Sequence, residues 1–127
     1  MKVDVTGAQI YCESAGEGEP VVLVPGFASG MWSWAWQTTA LAGHFRVSTF
    51  DPRGLSRSTD DGTQTPSIDL ITDDVAAVLE ALKIEKAHIL GLSFGGFVAQ
   101  EFVLKYPERV DKLVLASTSF GGVNHVS

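Results

Sequence analysis

The chain has 127 residues, nine Lys and Arg against fifteen Asp and Glu for a formal net charge of −6, and 45% hydrophobic residues. That is the arithmetic of one soluble globular domain: too short for two, too apolar and too evenly charged for disorder, and long enough for a core of its own. The acidic balance excludes a general nucleic-acid binder, which needs a basic face to neutralise phosphates.

Met1 to Val5 alternates polar and apolar residues like a strand and lacks the apolar core of a signal peptide. No run of 18 apolar residues is present to span a membrane, so the cytoplasm is the expected location. Strands are predicted over about 2–6 and 9–14, an antiparallel hairpin around Gly7. After the breaker-rich turn 15–20, Val21-Val22-Leu23-Val24 is continuously apolar and β-branched, the pattern of a strand buried on both faces of a parallel sheet. A helix is predicted over about 32–42, a strand over 46–50, and loop over 51–66. Thr65-Pro66-Ser67 then opens the strongest helical pattern, 68–82, with Leu70, Ile71, Val75, Val78, Leu79 and Leu82 at helical spacing. Its acids Asp69, Asp73 and Asp74 lie in the first half, where the helix dipole favours them. A second buried strand covers 87–90, a helix runs from the following turn to about Lys105, and a last strand covers 112–116. Strands alternating with helices through short loops give an α/β fold: a mostly parallel, doubly wound sheet of about six strands in one domain, with an antiparallel hairpin at its start. The single cysteine, Cys12, reads as a small buried residue, and no metal or organic cofactor is called for.

Gly91-Leu92-Ser93-Phe94-Gly95 is a G-x-S-x-G match placed between a buried strand and a helix. Such a turn is so tight that its serine takes a strained backbone and stands its hydroxyl clear of the sheet, with glycines where a Cβ would collide. Ser93 is therefore the candidate nucleophile, and the N–H of Phe94, at the helix N-terminus, is one candidate oxyanion donor. Other glycine-rich readings fail: a phosphate-binding loop needs Gly-Lys-Ser/Thr, and Gly96 is followed by Phe97. Val24-Pro25-Gly26-Phe27 ends the earlier buried strand. The N–H of Phe27 is a candidate second donor, the alternative being an ordinary strand-to-helix turn. Gly26 and Trp32 are candidate pocket residues. Trp32 and Trp36, four apart, share a helix face whose first reading is packing. Asp51 and Arg53 read first as a loop salt bridge or turn cap, and the charged stretch 57–61 as solvated.

With these residues quoted, the chain resembles the α/β-hydrolase superfamily. The elbow 91–96, the turn Pro25-Gly26-Phe27, the segment Asp51-Pro52-Arg53-Gly54-Leu55-Ser56-Arg57-Ser58 and the stretch Tyr106-Pro107-Glu108-Arg109-Val110 carry the likeness in the family's usual order. The resemblance implies Ser93 as nucleophile, the N–H groups of Phe27 and Phe94 as oxyanion hole, and small carboxylic esters or lactones as substrates. Pro25 departs from the histidine many members carry there. The resemblance also implies a triad in the order Ser, Asp or Glu, His, so that acid and base should follow Ser93.

Thirty-four residues follow Ser93. Glu101 lies eight positions along the helix, roughly 12 Å away at 1.5 Å per residue, and Glu108 and Asp111 precede the last strand, at the wrong edge of the sheet. His44 and His88 read as structural. His125 can reach the crevice on an extended chain of about 3.3 Å per residue, with no evident carboxylate partner. The chain thus looks like the first half of such an enzyme, without the family's last strands and lid. Its final strand is expected to pair with another copy, giving a dimer, or with a complementary C-terminal chain. Three readings stay open: an incomplete serine hydrolase, a homodimeric minimal hydrolase using His125, and a non-catalytic binding module on the same scaffold.

Overall fold

The computed structural model describes residues 1–26 and 28–118. Its elements are β1 (Lys2–Val5), β2 (Ala8–Ala15), β3 (Glu19–Val24), a 3₁₀ turn (Met31–Trp34), α1 (Ala35–Leu41), β4 (Phe45–Phe50), α2 (Ile68–Ala81), β5 (Ala87–Leu92), α3 (Phe94–Lys105), a second 3₁₀ turn (Pro107–Arg109) and β6 (Val110–Ala116). Six strands form one sheet in the order β1-β2-β4-β3-β5-β6. β1 and β2 are antiparallel, β2 meets β4 antiparallel, and β4, β3, β5 and β6 run parallel.

The central strand shows why the fold is doubly wound. Alternate side chains of a strand point to opposite faces, so Val22 and Val24 join one apolar cluster while Val21 and Leu23 join another. The first cluster is completed by α2 and α3 through Val75, Val78, Leu79, Val98 and Phe102; the second is closed by Trp34 with Val47. A continuous apolar run is what a strand covered on both sides requires.

Two element boundaries differ from the sequence expectation in a way that matters. The predicted helix over 32–42 begins instead as a 3₁₀ turn with α1 behind it. At about three residues per turn the face rotates, so Trp34 is buried while Trp32 and Trp36 are 73% and 86% exposed. The last strand starts two residues early, because Val110 already pairs with Ala87. β6 is an edge strand, with Leu113, Val114 and Leu115 all exposed. Among the described residues no helix is long and apolar enough to cross a membrane.

Ser67 caps α2, its hydroxyl accepting from the Leu70 N–H at 3.0 Å. The helices are tied at their surface by Lys105, 2.9 Å from Asp69 and 2.8 Å from Asp73, and by the Tyr106 hydroxyl donating to Asp73 at 2.6 Å. Burial opposes ionisation of Asp73, but the hydrogen bonds from Lys105 and Tyr106 win and hold its carboxyl below the usual value. Stability linked to a depressed carboxyl is complete above the unfolded value of about 3.9 and is lost as pH falls through the folded one. The urea midpoint of the chain should therefore drop further between about pH 5 and about pH 3 than that of Asp73→Asn; equal drops would remove Asp73 from the account.

Candidate active site

β5 ends at Leu92 and α3 begins at Phe94, so Ser93 alone makes the turn. Its backbone has φ 53 and ψ −117, a left-handed conformation rare for a residue with a side chain. Strain of this kind costs on the order of 1–3 kcal/mol and persists only where the surroundings impose it. Here they do. A Cβ on Gly91 would run into the backbone of Gly95, one on Gly95 into the carbonyls of Val24 and Pro25, and one on Gly96 into Thr118. The Ser93 N–H donates to the Ala116 carbonyl of β6 at 2.9 Å, and the Gly96 N–H to the Ser93 carbonyl at 2.9 Å. The side chain of Ser93 is left exposed at the C-terminal edge of the sheet.

The loop after β3 arrives at the same edge. A Cβ placed on Gly26 would stand 3.7 Å from that of Ser93, so the two turns are in direct contact. Asp51, at the end of β4, holds this loop: its carboxylate is buried and accepts from the Met31 N–H at 2.8 Å and the Arg57 N–H at 3.3 Å. A side chain at Gly30 would displace the Asp51 carboxylate. Ser58 locks the other side, donating to the Asp51 carbonyl and accepting from the Tyr11 N–H at 2.8 Å.

Arg53 leaves this loop in the opposite direction. It forks onto Asp74 of α2 with both arms at 2.8 Å and reaches the Thr6 carbonyl at 2.9 Å. The pair is buried, with side chains 5% and 3% exposed. Burial pushes the Asp74 carboxyl up, against the Arg53 fork that pulls it down; the two-armed geometry is that of an ionised pair.

The sequence-derived candidates fall out as follows. Ser93, Phe94 and Gly26 come together at one edge. Trp32 stands in solvent and does not line the cavity found there. Phe27 and His125 lie outside the described residues. His88 points to the opposite end of the sheet, 2.8 Å from Glu19 and 3.9 Å from Asp111. Among the described residues the Ser93 hydroxyl makes no hydrogen bond to a carboxylate or imidazole, and no cluster of His, Cys, Asp and Glu could hold a metal. Asp51 and Arg53 are the turn cap and salt bridge that their loop position indicates. Ser58 is buried, not solvated as the charged stretch around it implied, because it bridges two backbones. Asp74 is more than a favourable helix-dipole charge, and its signal was available: it lies in the apolar stripe between Ile71 and Val75, where an acid needs a buried partner.

A family model described as "alpha/beta hydrolase fold" matches residues 19–126. A putative carbamate hydrolase, RutD, of Caulobacter sp. strain K31 is 32% identical over 115 residues, which is 91% of this chain and 43% of that protein. Among solved structures, Est816, described as an N-acyl homoserine lactone degrading enzyme, is 37% identical with a TM-score of 0.87, covering 93% of this chain and 45% of that one. A thermophilic esterase from Thermogutta terrifontis is 32% identical with a TM-score of 0.86, covering 94% and 45%. The chain thus spans a little under half the length of each of these three proteins.

The tight fit at the elbow has a measurable cost. Gly95→Ala should lose at least about 2 kcal/mol in urea unfolding through forced overpacking. Gly62→Ala, at a left-handed φ of 76° that Gly95 in its helix does not have but with open space around it, should lose only about 1 kcal/mol. Equal losses would mean that the close approach is not what excludes a side chain.

Proposed function

The chain belongs to the α/β-hydrolase family, and from that premise we propose that it carries the nucleophile of a serine hydrolase acting on small carboxylic esters or lactones. The observation that carries the reading is Ser93 itself: a non-glycine residue at φ 53, exposed at the C-terminal end of a central parallel strand and at the N-terminus of a helix. The Ser93 hydroxyl oxygen attacks the carbonyl carbon, its proton passing to a base. The bond to the alcohol oxygen then breaks and the alcohol leaves with that proton, a lactone opening instead. Water repeats the addition at the acyl-serine, releasing acid and regenerating the hydroxyl. Negative charge on the carbonyl oxygen is stabilised by the N–H of Phe94 at the positive end of α3 and by that of Phe27. The family memberships of a carbamate hydrolase, a lactone-degrading enzyme and an esterase favour acyl transfer to water at this site.

The acid and the base come from polypeptide that continues the sheet past β6. In support, β6 offers seven residues of edge with Leu113, Val114 and Leu115 exposed. Its Ala116 carbonyl already holds Ser93, so anything pairing there arrives next to the nucleophile.

A serine-directed fluorophosphonate and a short activated ester test the nucleophile. Labelling and any ester hydrolysis above buffer should vanish in Ser93→Ala; labelling that survives the substitution, or is absent from the parent chain even with a complementary C-terminal chain supplied, would sink the reading. The edge is tested separately by light scattering. The chain alone should exceed its monomer mass, and Val114→Lys should return it to monomer, since charge on an edge strand blocks pairing. A parent chain that stays monomeric at high concentration would refute self-pairing.

A further inference from the structure

β5 lies between β3 and β6 in the sheet, and the first turn of α3 rises from its end. Two consecutive glycines of that turn are pressed against opposite neighbours. Gly95 meets the carbonyls of Val24 and Pro25 on the β3 side, and Gly96 meets the side chain of Thr118, just past the end of β6. In neither place would a Cβ fit. The start of the helix is therefore wedged sideways, with backbone on one flank and a threonine side chain on the other.

The segment after β6 is shaped to supply that second flank. The Ala116 carbonyl accepts from the Ser93 N–H at 2.9 Å. Ser117 then takes a left-handed backbone at φ 50, a costly conformation for a residue with a side chain. Ser117 is exposed, while Thr118 is half-buried against Gly96. Ala116 and Thr118 thus hold the turn at two points, at Ser93 and three residues later. Those points are themselves joined, because the Gly96 N–H donates to the Ser93 carbonyl at 2.9 Å. Lateral movement at Gly96 is passed to the serine backbone.

The hydroxyl of Thr118 shows how the residue acts. Both branches of the side chain, Oγ1 and Cγ2, lie where a Gly96 Cβ would stand. Oγ1 is shielded from solvent and, among the described residues, has no hydrogen-bond partner. Such a group costs stability and adds none. The contact with Gly96 therefore works through the branched shape of the side chain.

We propose, resting on Ser93 as the nucleophile, that Thr118 is its positioning residue: the branched side chain bears on Gly96, stops α3 from leaning towards β6, and so fixes the Ser93 hydroxyl relative to the Phe94 N–H. Reaction geometry is sensitive to small shifts, since a misplacement of about 1 Å can cost about a hundredfold in rate. Thr118 acts only through the turn and takes no part in bond making or proton transfer.

Two measurements on the parent chain, Thr118→Ala and Thr118→Val test this. Amide hydrogen exchange followed by NMR reads the turn directly. In Thr118→Ala the Ser93 N–H should exchange about tenfold faster, while Val22 and Leu23 in the buried strand β3 exchange as in the parent. Labelling by the serine-directed fluorophosphonate, under the conditions that label the parent, should slow about tenfold at saturating probe with the half-saturating concentration unchanged. Thr118→Val keeps the outline without the hydroxyl and should match the parent in both. Thr118→Ser, which keeps one branch, should shift in the same direction as alanine and serves should that variant not fold. Unchanged Ser93 exchange in Thr118→Ala, equal acceleration at Val22 and Leu23, or a valine variant as impaired as the alanine one would each overturn the proposal. Exchange that changes as expected with no labelling in any chain would instead remove Ser93 as nucleophile and leave the seating of its turn standing.

Discussion

Everything at the candidate site depends on one close approach. Gly95, the second residue of α3, packs against the carbonyls of Val24 and Pro25 so tightly that no Cβ fits between them. That contact fixes the height of α3 over the sheet, and with it the turn from β5. With no spacer between strand and helix, the whole reversal falls on Ser93, whose left-handed backbone is held on its other side by the Ala116 carbonyl. The same contact places the end of β3, and therefore Gly26, beside the serine. One steric constraint thus brings nucleophile, helix N-terminus and neighbouring loop to a single point, and the strain it imposes is of the kind that functional turns retain.

Asp51 is the second anchor, and it acts through backbone. β3 and β4 are neighbours, so their following loops leave the sheet side by side. A buried carboxylate shared between the N–H groups of Met31 and Arg57 joins them, while Arg53 and Asp74 tie the second loop to α2. A buried ion pair is weak evidence of stability, because desolvation offsets much of its attraction. Its geometric effect is clearer here. It sets where the 51–58 loop sits against α2, and so closes the far wall of the cavity that opens beside Ser93.

Much of this was readable in the sequence because it is local. Period-two alternation, continuous apolar runs and helical spacing mark the elements, and Gly91, Ser93 and Gly95 mark the elbow within five residues. What was not readable depends on partners distant along the chain. Nothing local distinguishes Trp34, which is buried, from Trp32 and Trp36, which are not; the decision is made by a 3₁₀ turn entered from a loop that Asp51 holds twenty positions away. Ser58 looked like part of a solvated charged stretch because its two backbone partners lie on other strands and turns. The cavity walls show the same limit. Gly26 and Phe94 were legible from the turns they occupy, whereas Ile71 read only as part of a helix's apolar stripe and Phe50 and Val98 carried no signal of their own, and it takes the packed sheet to show that the core falls short of closing there.

The two edges of the sheet are unlike, and the difference bears on how the site works. β1 is four residues long, with Lys2 and Asp4 exposed on it, a short charged edge of the sort that discourages further pairing. β6 is seven residues long, and its charges, Asp111 and Lys112, sit only at its start. Beyond them Leu113, Val114 and Leu115 are exposed on both faces, up to the carbonyl that holds Ser93. Unpaired backbone and apolar side chains on the same strand favour one kind of neighbour, another strand with its own covering layer. Among the described residues the sheet thus ends in a short charged edge on the side remote from the serine and in a longer apolar edge on the side next to it. A strand that paired with β6 would run past the residue whose carbonyl holds Ser93, so any side chains it brought would arrive beside that serine.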